Sequence, residues 1–384
     1  MTIPQRIADF AEDLTVIRRD LHAHPELGFE EVRTAGIVAE KLRSWGIEVT
    51  EGIGKTGVVG VLSGARPGRS IGLRADMDAL PIDERTNLPW ASKTPGVMHA
   101  CGHDAHTTIL LGAARYLAET RDFAGTAVFI FQPAEEGLGG ARAMIEDGLF
   151  DRFPCDEVYG LHNSPYHAPD VVGVKPGPAM AGASFFDITV SGKGCHAAMP
   201  ETGIDTIVIA TNLVQQLQSI AARNVPAAQP LVLSVTQIHA GAAYNVIADN
   251  ATLAGTVRYF DRATADMVTR RMQEICDGLA AGYGIEVTLD MRNIFDVLHN
   301  DPVLSAAMVA VAREFVGEKA ALKPDIVMGS EDFADMLQVV PGAYCTIGHA
   351  GTVPLHNPGF VLDDAVLPLG AAIMARMVET RGAA

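Results

Sequence analysis

Three apolar runs in the first half of the chain each end in residues that are costly to bury alone. Thr126 to Phe131 leads into Gln132-Pro133-Ala134-Glu135-Glu136-Gly137, Ser70 to Arg74 into Ala75-Asp76-Met77-Asp78, and Glu157 to Leu161 into His162-Asn163. Short runs of this kind read as buried strands. Helical periodicity separates or precedes them, over Gln5 to Leu21, Glu30 to Trp45 and Thr107 to Thr120. The second of these places Val32, Ala35, Val38, Ala39 and Leu42 on one face and stops at Gly46. Further strands are expected at Ile47 to Thr50, Gly57 to Leu62 and Gly342 to Ile347. The alternation predicts an α/β fold, a mainly parallel sheet with helices on both faces.

Beyond the Gly/Pro/Ala stretch Lys175 to Ala183, which reads as a linker, the order changes. Strand Ser184 to Ser191, helix Ile204 to Arg223, strands Leu231 to His239 and Ala251 to Phe260, helix Ala263 to Ala281 and strand Ile285 to Met291 form a βαββαβ, ferredoxin-like unit. Candidate ligands return only after it. The chain is therefore expected to hold a discontinuous main domain, 1–181 and 296–384, interrupted by an inserted domain, 182–295. The main domain resumes with helices over Pro302 to Phe315 and near Asp364 to Thr380.

In an open α/β sheet, ligands gather beyond the carboxyl ends of the strands. This chain delivers Asp, Cys, His and Glu to that edge. Met98-His99-Ala100-Cys101-Gly102-His103-Asp104-Ala105-His106 precedes a helix, and Leu355-His356-Asn357-Pro358-Gly359 follows the last strand. Cys101 alone could be a small buried hydrophobe, His162 a bonded core histidine, His356 a turn residue, and Glu135-Glu136 a pair at a helix start. Together they point to metal. The expected ligands are Cys101, His103, Glu136, His162 and His356. Five donors exceed one structural zinc and suit two divalent ions roughly 3.5–4 Å apart. A thiolate among imidazoles favours Zn, Co, Ni, Fe or Mn over Mg or Ca. Glu135, beside a ligand and pointing the other way, is then free to act as general base. Asp76, Asp78, Asp104, His99 and His106 are candidates to orient the ligands, while His22 and His24 read as structural.

Composition removes other classes. A formal net charge of −17 argues against nucleic acid and anionic membranes as partners. Five cysteines without a CxxC pair argue against a disulfide framework, and the first ten residues lack a signal-peptide core. A soluble, cytoplasmic enzyme acting on a small molecule is expected.

The motifs resemble those of the N-acyl-amino-acid amidohydrolases: hippurate hydrolase, bacterial aminoacylases and plant indole-acetyl-amino-acid hydrolases, a branch of the di-metal carboxypeptidase and aminoacylase superfamily. The resemblance runs from Arg18-Arg19-Asp20-Leu21-His22 with His24-Pro25-Glu26, through Arg74 to Pro81, Met98 to His106, Phe131 to Gly137 and Gly160 to His162. It continues through Gly192 to Pro200, Gly329 to Phe333 and His356 to Gly359. It implies the same five metal ligands, with Glu135 as base, and makes the insertion a dimerisation or lid domain in a homodimer. His196 matches a histidine that crosses to the partner's active site, and Asn245 and Arg258 fall where relatives contact the substrate carboxylate. The wider superfamily usually bridges its metals with an Asp where this branch has Cys101, which leaves the bridging ligand and the metal open. The implied reaction is hydrolysis of an N-acyl amino acid. The alternatives are a di-metal carboxypeptidase or dipeptidase, and a non-catalytic metal-binding or redox-sensing protein. A serine hydrolase is disfavoured, since no Gly-x-Ser-x-Gly elbow is present.

Overall fold

The computed structural model describes residues 2–323, 325–349 and 351–383. The apolar runs become the inner strands of an eight-stranded sheet, in the order Glu48–Ile53, Gly57–Ser63, Ala124–Gln132, Arg66–Asp76, Glu157–Ser164, Gly342–Gly348, Val172–Val174 and Ala320–Leu322. Its four central strands are mutually parallel, so Asp76, Gln132, His162 and Gly348 all lie towards one edge. The side chains of Phe129, Phe131, Leu73 and Ile71 are fully buried in the core of this unit, as strands covered on both faces require. The helices His103–Thr120 and Val366–Arg381 are buried over most of their length and pack against each other and the sheet. An α/β architecture with a largely parallel sheet is what the runs predicted.

Several details differ from the sequence reading. The first helix is broken: Gln5–Asp9 and Ala11–Ala23 are separate, because Phe10 turns its side chain into the core and leaves helical geometry. The second begins at Val32 rather than Glu30, since Phe29 adopts a left-handed φ of 65°. The helix after Cys101 begins at His103, four residues earlier than expected. The stretch read as a linker is not free chain: Gly177–Met180 is a strand paired with Leu298–Asn300.

The chain divides into two compact units. One comprises residues through Ala179, Leu298–Ile326 and the chain from Asp332 onward; the other comprises Met180–Val297 and Val327–Glu331. The second unit has its own antiparallel sheet, ordered Val232–Ala240, Asn250–Tyr259, Gly182–Ser191 and Glu286–Phe295. Helices Thr206–Arg223 and Arg262–Tyr283 share its core, with Leu213, Leu217, Met272 and Ile275 against Phe186, Ile188 and Leu253. This is the βαββαβ order. Among the described residues no helix is long and apolar enough to cross a membrane.

Candidate metal centre

The donors arrive on four separate segments of the first unit. Cys101 and His103 flank Gly102, whose φ of 96° starts the helix His103–Thr120; a side chain at Gly102 would collide with the Asn163 amide. Glu135 and Glu136 follow the strand Ala124–Gln132 through Ala134, which holds a left-handed φ of 56°. His162 lies within the strand Glu157–Ser164. His356, also at positive φ, sits in a loop tied to the Cys101 segment by its backbone N–H, which donates to the Ala100 carbonyl at 2.9 Å.

The donor atoms converge. Those of Cys101, His103 and His162 lie within 4.8 Å of one another, as do those of Cys101, Glu136 and His356, and those of His103, Glu135 and Glu136. Cys101 is common to the first two sets. Its Sγ is 3.4 Å from His162 Nε2, and His356 Nε2 is 3.2 Å from Glu136 Oε1.

Orientation comes from the surrounding polar groups. His103 Nδ1 donates to the Asp78 carbonyl at 2.9 Å and lies 3.2 Å from the Asp78 carboxylate, which turns the Nε2 lone pair towards the site. The other oxygen of Asp78 accepts from the Glu136 N–H at 3.0 Å. His162 Nδ1 donates to the Asn163 carbonyl at 2.6 Å, so its Nε2 is also an acceptor. His103 Nε2 and Glu136 Oε1 are buried yet make no hydrogen bond, the contact to His356 lacking the geometry of one. Buried polar atoms left without a partner are costly. A cation satisfies them, and the donor set fits a divalent metal.

The electrostatics agree. Burial opposes a charge on His103, but Asp76, with the hydrogen bond to Asp78 beside it, outweighs burial and holds that imidazole well above its usual range. Burial, with His106 adding to it, pushes His162 down to about 3, and burial pushes the Cys101 thiol up to about 12. A proton is thus favoured on His103 and on Cys101 and disfavoured on His162.

The remaining candidates divide. Asp76 and His106 form a further cluster with His103, but both are already engaged. His106 Nδ1 donates to Asp76 at 2.6 Å while its Nε2 accepts from the Asn163 N–H at 3.0 Å, and Asp76 also takes Arg74 at 2.7 Å. Both side chains are thus held in place by hydrogen bonds to their neighbours. Asp104, expected beside the ligands, is instead held by His22 at 2.9 Å and by Arg18. Burial lowers the His22 pKa, yet Asp104 outweighs it and raises His22 to about 9. His24 bonds the Asp20 carbonyl, and His99 is buried with both ring nitrogens unbonded and its pKa lowered to about 4 by burial.

Sequence reasoning missed Asn163, although it stands beside His162. Its amide donates to the Cys101 carbonyl at 2.6 Å and accepts from His349 at 3.0 Å, joining three segments. It also missed Asp332, whose carboxylate accepts from buried Arg74 and Gln132 and from the Ala141 N–H.

In the second unit, Cys195–His196 pairs with Val246–Ile247, and the Ala197 N–H donates to the Asn245 carbonyl at 3.0 Å. His196 and Asn245 are therefore neighbours. His196 is exposed and accepts the Ala198 N–H at Nδ1, which leaves Nε2 as the protonated, donating nitrogen. Arg258, half-buried on the strand Asn250–Tyr259, bonds Thr256 and lies over Phe185.

A parallel sheet with a thiolate, imidazoles and paired carboxylates at its carboxyl edge defines a metal-dependent hydrolase. The chain belongs to peptidase family M20/M25/M40, which it matches over residues 72–380. It is 43% identical over 379 residues, 98% of each chain, to a hippurate hydrolase of Campylobacter jejuni. It is 40% identical to an N-acetylcysteine deacetylase of Bacillus subtilis, over 96% of each chain. A crystal structure of a dinuclear metal-binding peptidase of the M20 family, also from Bacillus subtilis, superposes with a TM-score of 0.84 at 36% identity, covering 97% of this chain and 98% of that one.

Proposed function

We propose that the protein hydrolyses the amide bond of N-acyl amino acids, acetyl, benzoyl or similar, to a carboxylic acid and a free amino acid. The observation that carries this reading is the convergence of Cys101, His103, Glu136, His162 and His356, with Glu135 in contact range of His103 and Glu136. Those five residues would hold two divalent ions, Mn, Zn, Ni or Co, which when bound would supply Lewis acidity and lower the pKa of a water. Cys101 is common to two of the donor sets, which supports counting it among the ligands.

Glu135 takes the proton from the attacking water and returns it to the departing amine. Buried Asp78 fixes both the His103 ring and the Glu136 backbone, so the ligand and the base beside it move as one. His196 Nε2–H is a suitable donor for the developing oxyanion, reached from the partner subunit of a homodimer. Asn245 and Arg258 recognise the substrate carboxylate. The first unit is the catalytic domain and the second the dimerisation or lid domain. Five free cysteines support a cytoplasmic setting.

The test pairs a substrate screen with two variants. Metal-loaded protein is expected to cleave N-acetyl and N-benzoyl amino acids and to leave dipeptides intact. Glu135→Gln should keep metal content and lose about 10²–10⁴-fold in kcat, while Glu136→Gln should lose metal. Equal metal and equal activity in both variants would refute the division of labour.

A further inference from the structure

The segment Pro25-Glu26-Leu27-Gly28-Phe29-Glu30-Glu31 lies far in sequence from every donor and supplies no ligand. Its carboxylates are used unequally. Glu26 caps the helix Val32–Ser44, accepting the N–H groups of Arg33 at 2.9 Å and Thr34 at 2.8 Å. Glu31, at the N-cap position itself, makes no capping bond. It is fully buried, with one oxygen accepting the Ala134 N–H at 2.8 Å and the other accepting the Thr56 hydroxyl at 2.5 Å.

Ala134 immediately precedes Glu135 and is strained, with a φ of 56°. Two more non-glycine residues with left-handed φ surround the same carboxylate. Phe29 (65°) stands two residues before Glu31, Lys55 (82°) one before Thr56, and the Lys55 ammonium lies 3.9 Å over the Phe29 ring. Such conformations cost about 1–3 kcal/mol each and persist only where the surroundings hold them. Gly28 presses on the same turn from the other side. A Cβ there would lie 3.0 Å from Ala134 Cα, 3.1 Å from its Cβ and 2.9 Å from Leu138. Neighbouring Leu27 forms a bridge with Ala79, next to Asp78. The segment is thus wedged between the Asp78 strand end and the Ala134 turn.

We propose that Glu31 and Gly28 are positioning residues for catalysis: together they hold Ala134 in its left-handed conformation and so aim the Glu135 carboxylate. The proposal rests on the reading of Glu135 as general base. Neither residue touches substrate or metal; each acts through the Ala134 backbone. A base displaced by 1 Å can lose about 10²-fold in rate.

The experiment compares Glu31→Leu, Glu31→Gln, Gly28→Ala and Glu135→Gln. Leu removes the acceptor at similar volume, whereas Gln retains an oxygen for the Ala134 N–H. Glu31→Leu and Gly28→Ala are expected to lower kcat by about 10²-fold, with KM within about twofold and metal content unchanged. Glu31→Gln should recover activity to within a few-fold of wild type. In the metal-free proteins, the amides of residues 134–137 should exchange hydrogen faster in Glu31→Leu and Gly28→Ala than in wild type. If Glu31→Leu does not fold, Gly28→Ala decides the matter alone. Folded, metal-loaded Glu31→Leu or Gly28→Ala with wild-type kcat would overturn the proposal, as would a Gln variant as slow as the Leu variant. Wild-type kcat in Glu135→Gln would instead overturn the reading of the base, so the two failures are distinct.

Discussion

At the scale of single residues, metal binding in this site is coupled to protons. Without metal, His103 holds its proton because Asp76, helped by the hydrogen bond to Asp78, outweighs the burial that opposes it, and burial keeps the Cys101 thiol protonated up to about 12. Binding a divalent ion must displace both protons. His162, pushed down to about 3, is already neutral and contributes none. Affinity is therefore expected to rise with pH, by about tenfold per unit for each proton released. Metal titrations between pH 6 and 8 in a competing chelator check the slope, and Cys101→Ala should reduce it by one proton. A pH-independent affinity would remove Cys101 and His103 from the donor set. The His22–Asp104 pair has two pH limits. His22, raised to about 9, contributes stability that is complete below about 6.5 and fades as pH rises through 9. Asp104, held well below the usual range against the burial that opposes it, contributes above about 4 and loses that contribution as pH falls through its folded value.

At the scale of elements, the start of the helix His103–Thr120 is where fold and site meet. Gly102 is left-handed and its Cα faces the Asn163 amide, which in turn holds the Cys101 carbonyl. Gly102→Ala is expected to lower both the melting temperature and metal affinity, through a left-handed alanine costing about 1–2 kcal/mol and through displacement of Asn163. Thermal denaturation with metal analysis reads both effects; an unchanged affinity would show that the helix start does not set the ligand geometry. The sequence made the α/β order legible because buried strands leave apolar runs and helices leave a 3.6-residue period. Short strands such as Val172–Val174 and Ala320–Leu322 left no trace, since three residues carry no period. Residue types able to bind metal stood out at the strand ends. Their supports did not: Glu31 looks like a helix-start residue, and Asp332 reaches Arg74 across more than two hundred and fifty positions. Only three-dimensional contact reveals such partners. Asp104 misled for a related reason, because adjacency to His103 suggested a partnership that the helix geometry gives to His22.

At the scale of the whole molecule, the proposed dimer makes a sharp prediction. Glu135→Ala and His196→Ala chains, each nearly inactive, are mixed and re-paired. If His196 serves the partner's site, half the dimers are mixed and each holds one intact site, so about a quarter of wild-type activity returns. If His196 serves its own chain, mixing restores nothing even with mixed dimers demonstrated by mass spectrometry. The order of the donors along the chain also sets a clock. Cys101, His103, Glu136 and His162 leave the ribosome early, but His356, docked on the Ala100 carbonyl, is encoded close to the end. At about 5–20 residues per second, the roughly two hundred intervening residues take about 10–40 s to synthesise. Through that interval the growing chain holds the Cys101, His103 and His162 set but lacks the last member of the set formed by Cys101, Glu136 and His356.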